Sequence, residues 1–223
     1  MRTFIFKVKY GGLGDHLFHS HLPRIAKEMG YNKVYMSNNS EFRHKDYYDF
    51  IWKLNPFLDG QIDADAPYPE VGSLDLNKLN LLDAVMLSRG LDNHRRFHEP
   101  ELYYTPKVKP ELVDKVIFDP NYLSYTGEII NSNLISFLQS EGDIDLQMAI
   151  RDRTFGFRTS IPTIQAANIY DYCNIIHSCK KFYGLISGGA TLAAAIGKPS
   201  IILYGDKLKD MFRHSKLHTY VKV

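Results

Sequence analysis

Two cysteines and one tryptophan are all that this 223-residue chain carries of those residues, and no apolar run in it comes near the length of a membrane span. Cys173 and Cys179 stand six apart on an expected helix, on different faces and with no CxxC pair, which excludes a disulfide scaffold and a thiol-based zinc ribbon. A bilayer-spanning helix needs roughly 20 apolar residues. Charge of one sign is also missing: 27 Lys and Arg face 25 Asp and Glu, for a net +2. Proteins that hold nucleic acid mainly by neutralising phosphates need a larger or more segregated excess, so no nucleic-acid partner is expected. Met1-Arg2-Thr3 runs straight into a strand-like stretch without an apolar leader, and a reducing, cytoplasmic setting is expected.

What the chain does have is an ordinary globular composition, 44% hydrophobic, with 15 Tyr and 13 Phe. Residues 3–9 read as a strand, then comes a glycine-rich turn, and residues 17–29 carry apolar side chains at helical spacing, closed by Gly30 and kinked at Pro23. A second strand over 32–37 completes the β-turn-α-β opening of a doubly wound sheet. Residues 47–54 and 81–91 read as helices, 59–80 as loop, and 93–109 as a polar, proline-punctuated boundary. A second β/α series follows, with strands at 113–119, 146–150, 182–186 and 200–204 and helices at 129–140, 170–181 and 191–196. The basic tail from Lys207 to Val223 has no clear period.

Two glycine turns sit at expected strand ends. In Gly11-Gly12-Leu13-Gly14-Asp15 the missing side chains admit a ligand or a second backbone at close range. The dinucleotide fingerprint fails because Leu17 stands where its last glycine belongs, and no Gly-Lys-Ser/Thr follows as a phosphate loop requires. Asp15 falls at the expected N-cap, where a carboxylate either only caps the helix or also stands ready, in the crevice at the strand's carboxyl end, to accept a proton. The second turn, Ser187-Gly188-Gly189, precedes a small-residue helix. Ser187 can cap it, and the glycine N–H groups either close a tight connection or take up a phosphate.

Gly11-Gly12-Leu13-Gly14-Asp15, with its helix through Pro23, resembles the amino-terminal motif of the heptosyltransferase-like glycosyltransferases (family nine). Residues 172–179, on to Leu203-Tyr204-Gly205, are similar to that family's donor-domain signature. The resemblance implies a GT-B fold: α/β, two Rossmann-like domains facing across a cleft, here reduced in size. Residues 1–110 would form the acceptor-side domain and 111–223 the nucleotide-sugar domain. It implies an inverting, metal-independent hexosyl- or heptosyltransferase of surface polysaccharide biosynthesis. That enzyme takes a nucleotide-sugar donor to a saccharide or glycolipid acceptor, with no further cofactor, in the cytoplasm and peripherally at the inner membrane surface. Asp15 matches the family's proposed base. Ser187, Gly188 and Gly189 match its diphosphate turn, with Thr191 and Tyr204 as further donor-side contacts, and Gly11, Gly12, Gly14, His16 and His19 belong to the acceptor-side loop. Ile186 stands where that turn usually opens with an acid, which supports a non-catalytic nucleotide-sugar-binding or partner protein as the alternative. Gly11 to Gly14 and Cys179-Lys180 also look similar to fucosyltransferase motifs.

Weaker patterns complete the inventory. Asp63/Asp65 and Asp143/Asp145 have the spacing of a metal-holding Asp-x-Asp pair but follow no convincing buried strand, and His94/His98 lack the glutamate of a zinc helix, so no metal is assigned. His19, one turn beyond Asp15, either supports that carboxylate or is a packing residue. Arg151, Arg153 and Arg158, interleaved with Phe155 and Phe157, read either as a phosphate- and ring-binding cluster or as a solvated loop.

Overall fold

Val116–Asp119 is buried at all four positions and Lys181–Leu185 at its last four, the pattern of strands covered on both faces. The computed structural model describes residues 1–69, 71, 79–122, 126–142, 144–150 and 159–223, and divides the chain into two units, Met1–Tyr104 and Thr105–Val223. The division falls within the polar, proline-punctuated stretch. Both units are α/β, and every strand pair in their two sheets is parallel.

In the first unit β1 (Thr3–Phe6) pairs with β2 (Lys33–Ser37), which pairs with the short β3 (Gln61–Ile62). The single kinked helix expected after β1 is two helices, α1 (Leu13–His19) and α2 (Leu22–Glu28). Pro23 is the reason: it has no N–H to give to a continuing helix, and it sits in the first turn of α2 where none is needed. Gly30 follows α2 with φ +83, the left-handed closure its position predicts. Tyr48–Trp52 forms one wide helical turn in which Lys53 N–H reaches back to Tyr48 C=O. α3 (Leu81–Ser88) is capped by Asn80, whose side chain accepts from Asp83 N–H, and packs against α1.

The second unit is a six-stranded sheet in the order β6-β5-β4-β7-β8-β9. Its strands are β4 (Val116–Asp119), β5 (Leu146–Met148), β6 (Thr163–Ile164), β7 (Lys181–Leu185), β8 (Ile201–Tyr204) and β9 (Thr219–Lys222). α4 (Asn131–Glu141) lays Leu134 and Leu138 on Phe118, Tyr183 and Leu203, while Ala190 of α6 (Gly188–Ala195) packs on Ile202, which faces the other way. α5 (Ile169–Ser178) packs beside α6. β6 and β9 escaped the sequence reading: the first has two residues and the second lies in the basic tail. The chain leaves β4 toward β5 on one side and returns through β7 on the other. The topological switch point therefore lies at the carboxyl ends of β4 and β7, where open α/β sheets bind ligands. Among the described residues no helix is long and apolar enough to cross a membrane.

The Trp52 indole N–H donates to His16 Nδ1 at 2.9 Å inside the first unit, and its ring lies 5.4 Å from that of Phe6. Trp52→Phe keeps an aromatic ring but leaves His16 Nδ1 a buried acceptor with no donor. It should cost about 1–3 kcal/mol, read by urea unfolding followed by circular dichroism. A change within the error of the midpoint would show that the bond contributes nothing.

Candidate functional site

The first glycine turn is built by a second backbone, one of the two occupants its sequence admits. Gly11 adopts φ +60, and a Cβ there would stand 2.9 Å from the Glu41 carbonyl carbon and 3.0 Å from Arg43 N. Arg43 N–H donates to Gly11 C=O at 2.9 Å, and Glu41 N–H to Val8 C=O at the same distance. Residues 40–43 thus run along the end of β1 and hold the turn in place. Tyr10, just before it, takes the left-handed conformation at φ 74, which is costly for a side-chain-bearing residue, and presents a half-exposed ring.

Asp15 is not the N-cap. Helix α1 begins one turn earlier than expected, with Gly12 as its N-cap and Asp15 as its third residue. From there the carboxylate reaches back to accept Gly12 N–H at 2.9 Å. Glycine is required at position 12 for that bond, because a Cβ would meet Asp15 Oδ2 at 2.7 Å. Asp15 is half-buried, and the loss of solvent raises its pKa above the ordinary carboxylate value, against the opposing pull of Gly12 N–H and the Arg43 guanidinium.

Both expected loop histidines are structural. His16 is fully buried and stacked on Phe42 at 4.4 Å. Trp52 Nε1 can only donate, so His16 Nδ1 accepts and His16 Nε2–H donates to Glu41 C=O at 3.0 Å. No ring nitrogen is left for an acceptor molecule, which corrects its assignment to the acceptor-side contacts. His19 does not touch the Asp15 carboxylate. Arg89 donates to its Nε2 at 2.6 Å, which puts the proton on Nδ1, and Nδ1–H donates to the Asp15 backbone carbonyl at 2.7 Å. Burial, and then the Arg89 charge, push the His19 pKa far down, so the ring is neutral.

The groups around Asp15 that sequence reasoning missed are Lys9, Tyr10, Arg43, Tyr68 and Arg89. The Tyr68 ring stacks beside His19, meets Tyr10 edge-on at 6.1 Å, and carries Arg89 at 5.1 Å and Lys9 at 5.8 Å. Arg89 also donates to Val85 C=O and Ser88 Oγ and is hydrogen-bonded to the Tyr68 side chain, while its Nε is buried without a hydrogen bond. Burial brings its pKa down to about 10, still charged at neutral pH. Aromatic faces edged by cations suit a sugar ring or an anionic group. Only the flanking prolines of Tyr68 and the helix-end place of Arg89 were visible beforehand.

In the second unit Ser187 caps α6 as its position predicts: its Oγ accepts Gly189 N–H at 3.1 Å. That bond spends one of the two glycine amides assigned to a diphosphate. Thr191 is buried and its hydroxyl donates to Ser187 C=O at 3.1 Å, so it holds the turn and offers a ligand nothing. Tyr204, at the end of β8, is half-buried with the Arg213 guanidinium 5.9 Å above its ring. Ile186 is buried against Ala190 and Ile202. At the switch point stands Asp119, which the motif reading passed over. It is buried, with Oδ1 accepting from Asn121 N–H and Nδ2 and Oδ2 accepting from Tyr172 OH. Beyond it, Gly205 N–H donates to Thr126 C=O, and Glu128 and Asp206 exchange backbone bonds. The segment after β4 is thereby tied to the end of β8.

The weaker sequence patterns resolve locally. Asp65 pairs with Lys7, Asp145 accepts Val116 N–H and pairs with Lys115, and His98 is bound to Asp83 at 2.7 Å. Lys207, Arg213 and Lys222 of the tail pair with Glu128, Asp210 and Asp206. Asp143 and the 151–158 cluster with Arg151, Arg153, Phe155, Phe157 and Arg158 lie outside the described residues. Among the described residues no three His, Cys, Asp or Glu side chains are grouped to hold a metal ion.

No protein-family model and no curated protein matches the sequence. Solved structures do. The iron-containing dodecameric glycosyltransferase TibC of enterotoxigenic E. coli superposes with a TM-score of 0.67 at 17% identity, over 97% of this chain and 61% of TibC. A glycosyl transferase family 9 protein of Veillonella parvula gives 0.60 at 9% identity, over 99% of this chain and 85% of that one. E. coli heptosyltransferase WaaC, solved with ADP, gives 0.56 at 10% identity, over 100% and 93%. The chain spans about three fifths of the length of TibC. Its fold is that of the heptosyltransferase-like glycosyltransferases, as the sequence resemblance led one to expect.

The buried neutral histidines give this site a pH signature. Burial lowers the His16 pKa to about 4, against an unfolded value near 6.5. The unfolded chain therefore binds the proton first, and stability is full above pH 6.5 and falls as pH drops toward 4. His16 alone should remove about 1–2 kcal/mol between pH 7 and pH 5. Urea midpoints followed by the fluorescence of Trp52, the only tryptophan, test this. A first unit as stable at pH 5 as at pH 7 would refute it.

Proposed function

We propose that this chain is a glycosyltransferase of the heptosyltransferase-like kind, moving a hexosyl or heptosyl group with inversion from a nucleotide-sugar donor to a saccharide or glycolipid acceptor. The observation that carries the reading is Asp15, on a chain with this fold. It is a half-buried carboxylate at the carboxyl end of β1, aimed by Gly12 N–H, with the Arg43 guanidinium and Tyr68 beside it. The neighbours' complexes support the donor class: TibC has been solved with ADP-D-beta-D-heptose and WaaC with ADP.

In the proposed reaction Asp15 takes the proton from an acceptor hydroxyl as that oxygen attacks the anomeric carbon and the bond to the diphosphate breaks. Tyr10 and Tyr68 offer faces to the acceptor sugar, and Arg89 offers a charge to any anionic group on it. The turn at Ser187-Gly188-Gly189 receives the leaving diphosphate at the start of α6, stabilising charge as it develops. The reading has the two units meet across a cleft, the first on the acceptor side and the second on the donor side. No metal takes part in it. A cytoplasmic setting at the inner membrane surface, within surface polysaccharide synthesis, belongs to the same proposal, and two free buried thiols are consistent with a reducing compartment. Ile186 gives the donor turn no polar group, and this favours a second reading, a nucleotide-sugar-binding protein without turnover.

Asp15→Asn separates these. Asparagine still offers an oxygen to Gly12 N–H, so the variant should melt near the wild type and bind nucleotide sugar comparably. Without a base its turnover should fall by about 10²–10⁴-fold. The raised Asp15 pKa places the acidic limb of wild-type turnover above the ordinary carboxylate range, with activity rising as pH rises through it. A folded Asp15→Asn protein with near-normal rates would sink the mechanism, and binding without turnover in the wild type would establish the second reading.

The donor turn has its own check. Gly188→Val puts a branched side chain at the first residue of α6, and should abolish nucleoside diphosphate binding in calorimetry while the circular dichroism spectrum is retained. Unchanged affinity would move the diphosphate elsewhere.

A further inference from the structure

We propose that Arg89 is a positioning residue for Asp15, acting through His19 to fix the first turn of α1 and to keep the ring beside the base neutral. The proposal rests on reading Asp15 as the base. Arg89 is placed by the closure of α3: it is the C-cap, and Gly90 after it turns left-handed at φ +69. Its guanidinium folds back on its own helix and donates to Val85 C=O and Ser88 Oγ, each at 3.1 Å. Its charge therefore lies at the helix end where unpaired carbonyls gather, a place that favours a cation. From there Arg89 donates to His19 Nε2 at 2.6 Å, and His19 Nδ1–H donates to Asp15 C=O at 2.7 Å. A further bond goes to the Tyr68 side chain, whose ring stacks beside that of His19. One side chain of α3 is thus joined to the backbone of the residue that carries the carboxylate and to the aromatic face next to it.

A guanidinium has donors only, so its contact with His19 admits one state of that ring, neutral with the proton on Nδ1. The opposite tautomer would set N–H against N–H at Arg89 and a lone pair against the Asp15 carbonyl. Protonation would add a second positive charge beside the first, and burial opposes it as well. An apolar side chain of similar length would fill the space without selecting a tautomer. The consequences for Asp15 are two. Its backbone is pinned from the α3 side by His19, while its carboxylate is held by Gly12 N–H. The ring also never becomes a cation that competes for its negative charge, so the base titrates without this neighbour. The groups that bear on Asp15 are Glu41 and Arg43 of the segment along β1, Tyr68, and His19 of its own helix. Those that bear on His19 are Arg89, His16, His21 and the Tyr68 ring. Arg89 touches no reacting atom in this scheme.

The experiment is nuclear magnetic resonance of the whole chain between pH 4 and pH 8, after circular dichroism has confirmed folding. Histidine ring nitrogens and aspartate carboxyl carbons are followed, with the His19 and Asp15 signals identified by their loss in His19→Asn and Asp15→Asn. In the wild type His19 should carry its proton on Nδ1 and should not titrate. In Arg89→Met the ring should lose that single tautomer, and the raised Asp15 pKa should fall toward the ordinary carboxylate value as the freed turn admits solvent. Arg89→Lys still donates to Nε2 and should keep both signals as in the wild type. An unchanged His19 tautomer or an unchanged Asp15 titration in folded Arg89→Met, the result that packing alone would give, overturns the proposal. If Arg89→Met fails to fold, the other two chains decide. A wild-type His19 that titrates or holds its proton on Nε2 overturns the proposal, and so does loss of the raised Asp15 pKa in Arg89→Lys. Near-normal turnover by Asp15→Asn would remove the base reading while leaving these signals as expected, so the two failures are told apart.

Discussion

The first unit's site depends on one close approach, the backbone of residues 40–43 lying against the end of β1 and the Gly11 turn. Val8 N–H donates to Ser40 Oγ, Glu41 N–H to Val8 C=O, Arg43 N–H to Gly11 C=O and His16 Nε2–H to Glu41 C=O, so four bonds tie one short segment to strand, turn and helix. That contact needs glycine at position 11, and the turn it fixes sets where α1 starts. Where α1 starts decides the position of Asp15. A helix beginning at Leu13 makes Asp15 its third residue, and the carboxylate then folds back on Gly12 N–H. The backbone partner, the histidine beneath it and the carboxylate's aim are one construction.

The second unit reaches its candidate site by a different constraint. A wholly parallel sheet gathers all strand ends of one kind along one edge, and the reversal of strand order between β4 and β7 opens the crevice there. The two units therefore offer unlike chemistry. In the first, a half-buried carboxylate accepts Gly12 N–H beside the Arg43 guanidinium. In the second, the carboxylate of Asp119 is buried and accepts hydrogen bonds from Asn121 and Tyr172.

How much of this was legible follows from the range of the interactions. Ser187 as a cap, Gly30 as a helix closure and the parallel αβ order are local or periodic properties, and they were readable residue by residue. Asp15 was placed in the right turn but at the wrong helix position, because glycine can be an N-cap without a side-chain bond and so gives a weaker signal than an acid. Pro23 marked a discontinuity whose extent only packing decides. Arg89, Tyr68 and Asp119 were invisible as site residues. Arg89 meets His19 across 70 positions and Tyr172 meets Asp119 across 53, and no spacing rule reaches so far.

The histidines explain why the cluster around Asp15 tolerates so many cations. A protonated His19 next to Arg89 would put two positive charges 2.6 Å apart in a buried place. The neutral ring instead accepts from Arg89 at one nitrogen and donates to the Asp15 carbonyl from the other, so Arg89 is held by a group that leaves its charge intact. His16 does the same for Trp52 and Glu41 with the opposite tautomer. Donor-only neighbours, an indole in one case and a guanidinium in the other, select each tautomer. The net effect is a turn held by neutral hydrogen bonds, with the full charges carried by Asp15, Arg43 and Arg89.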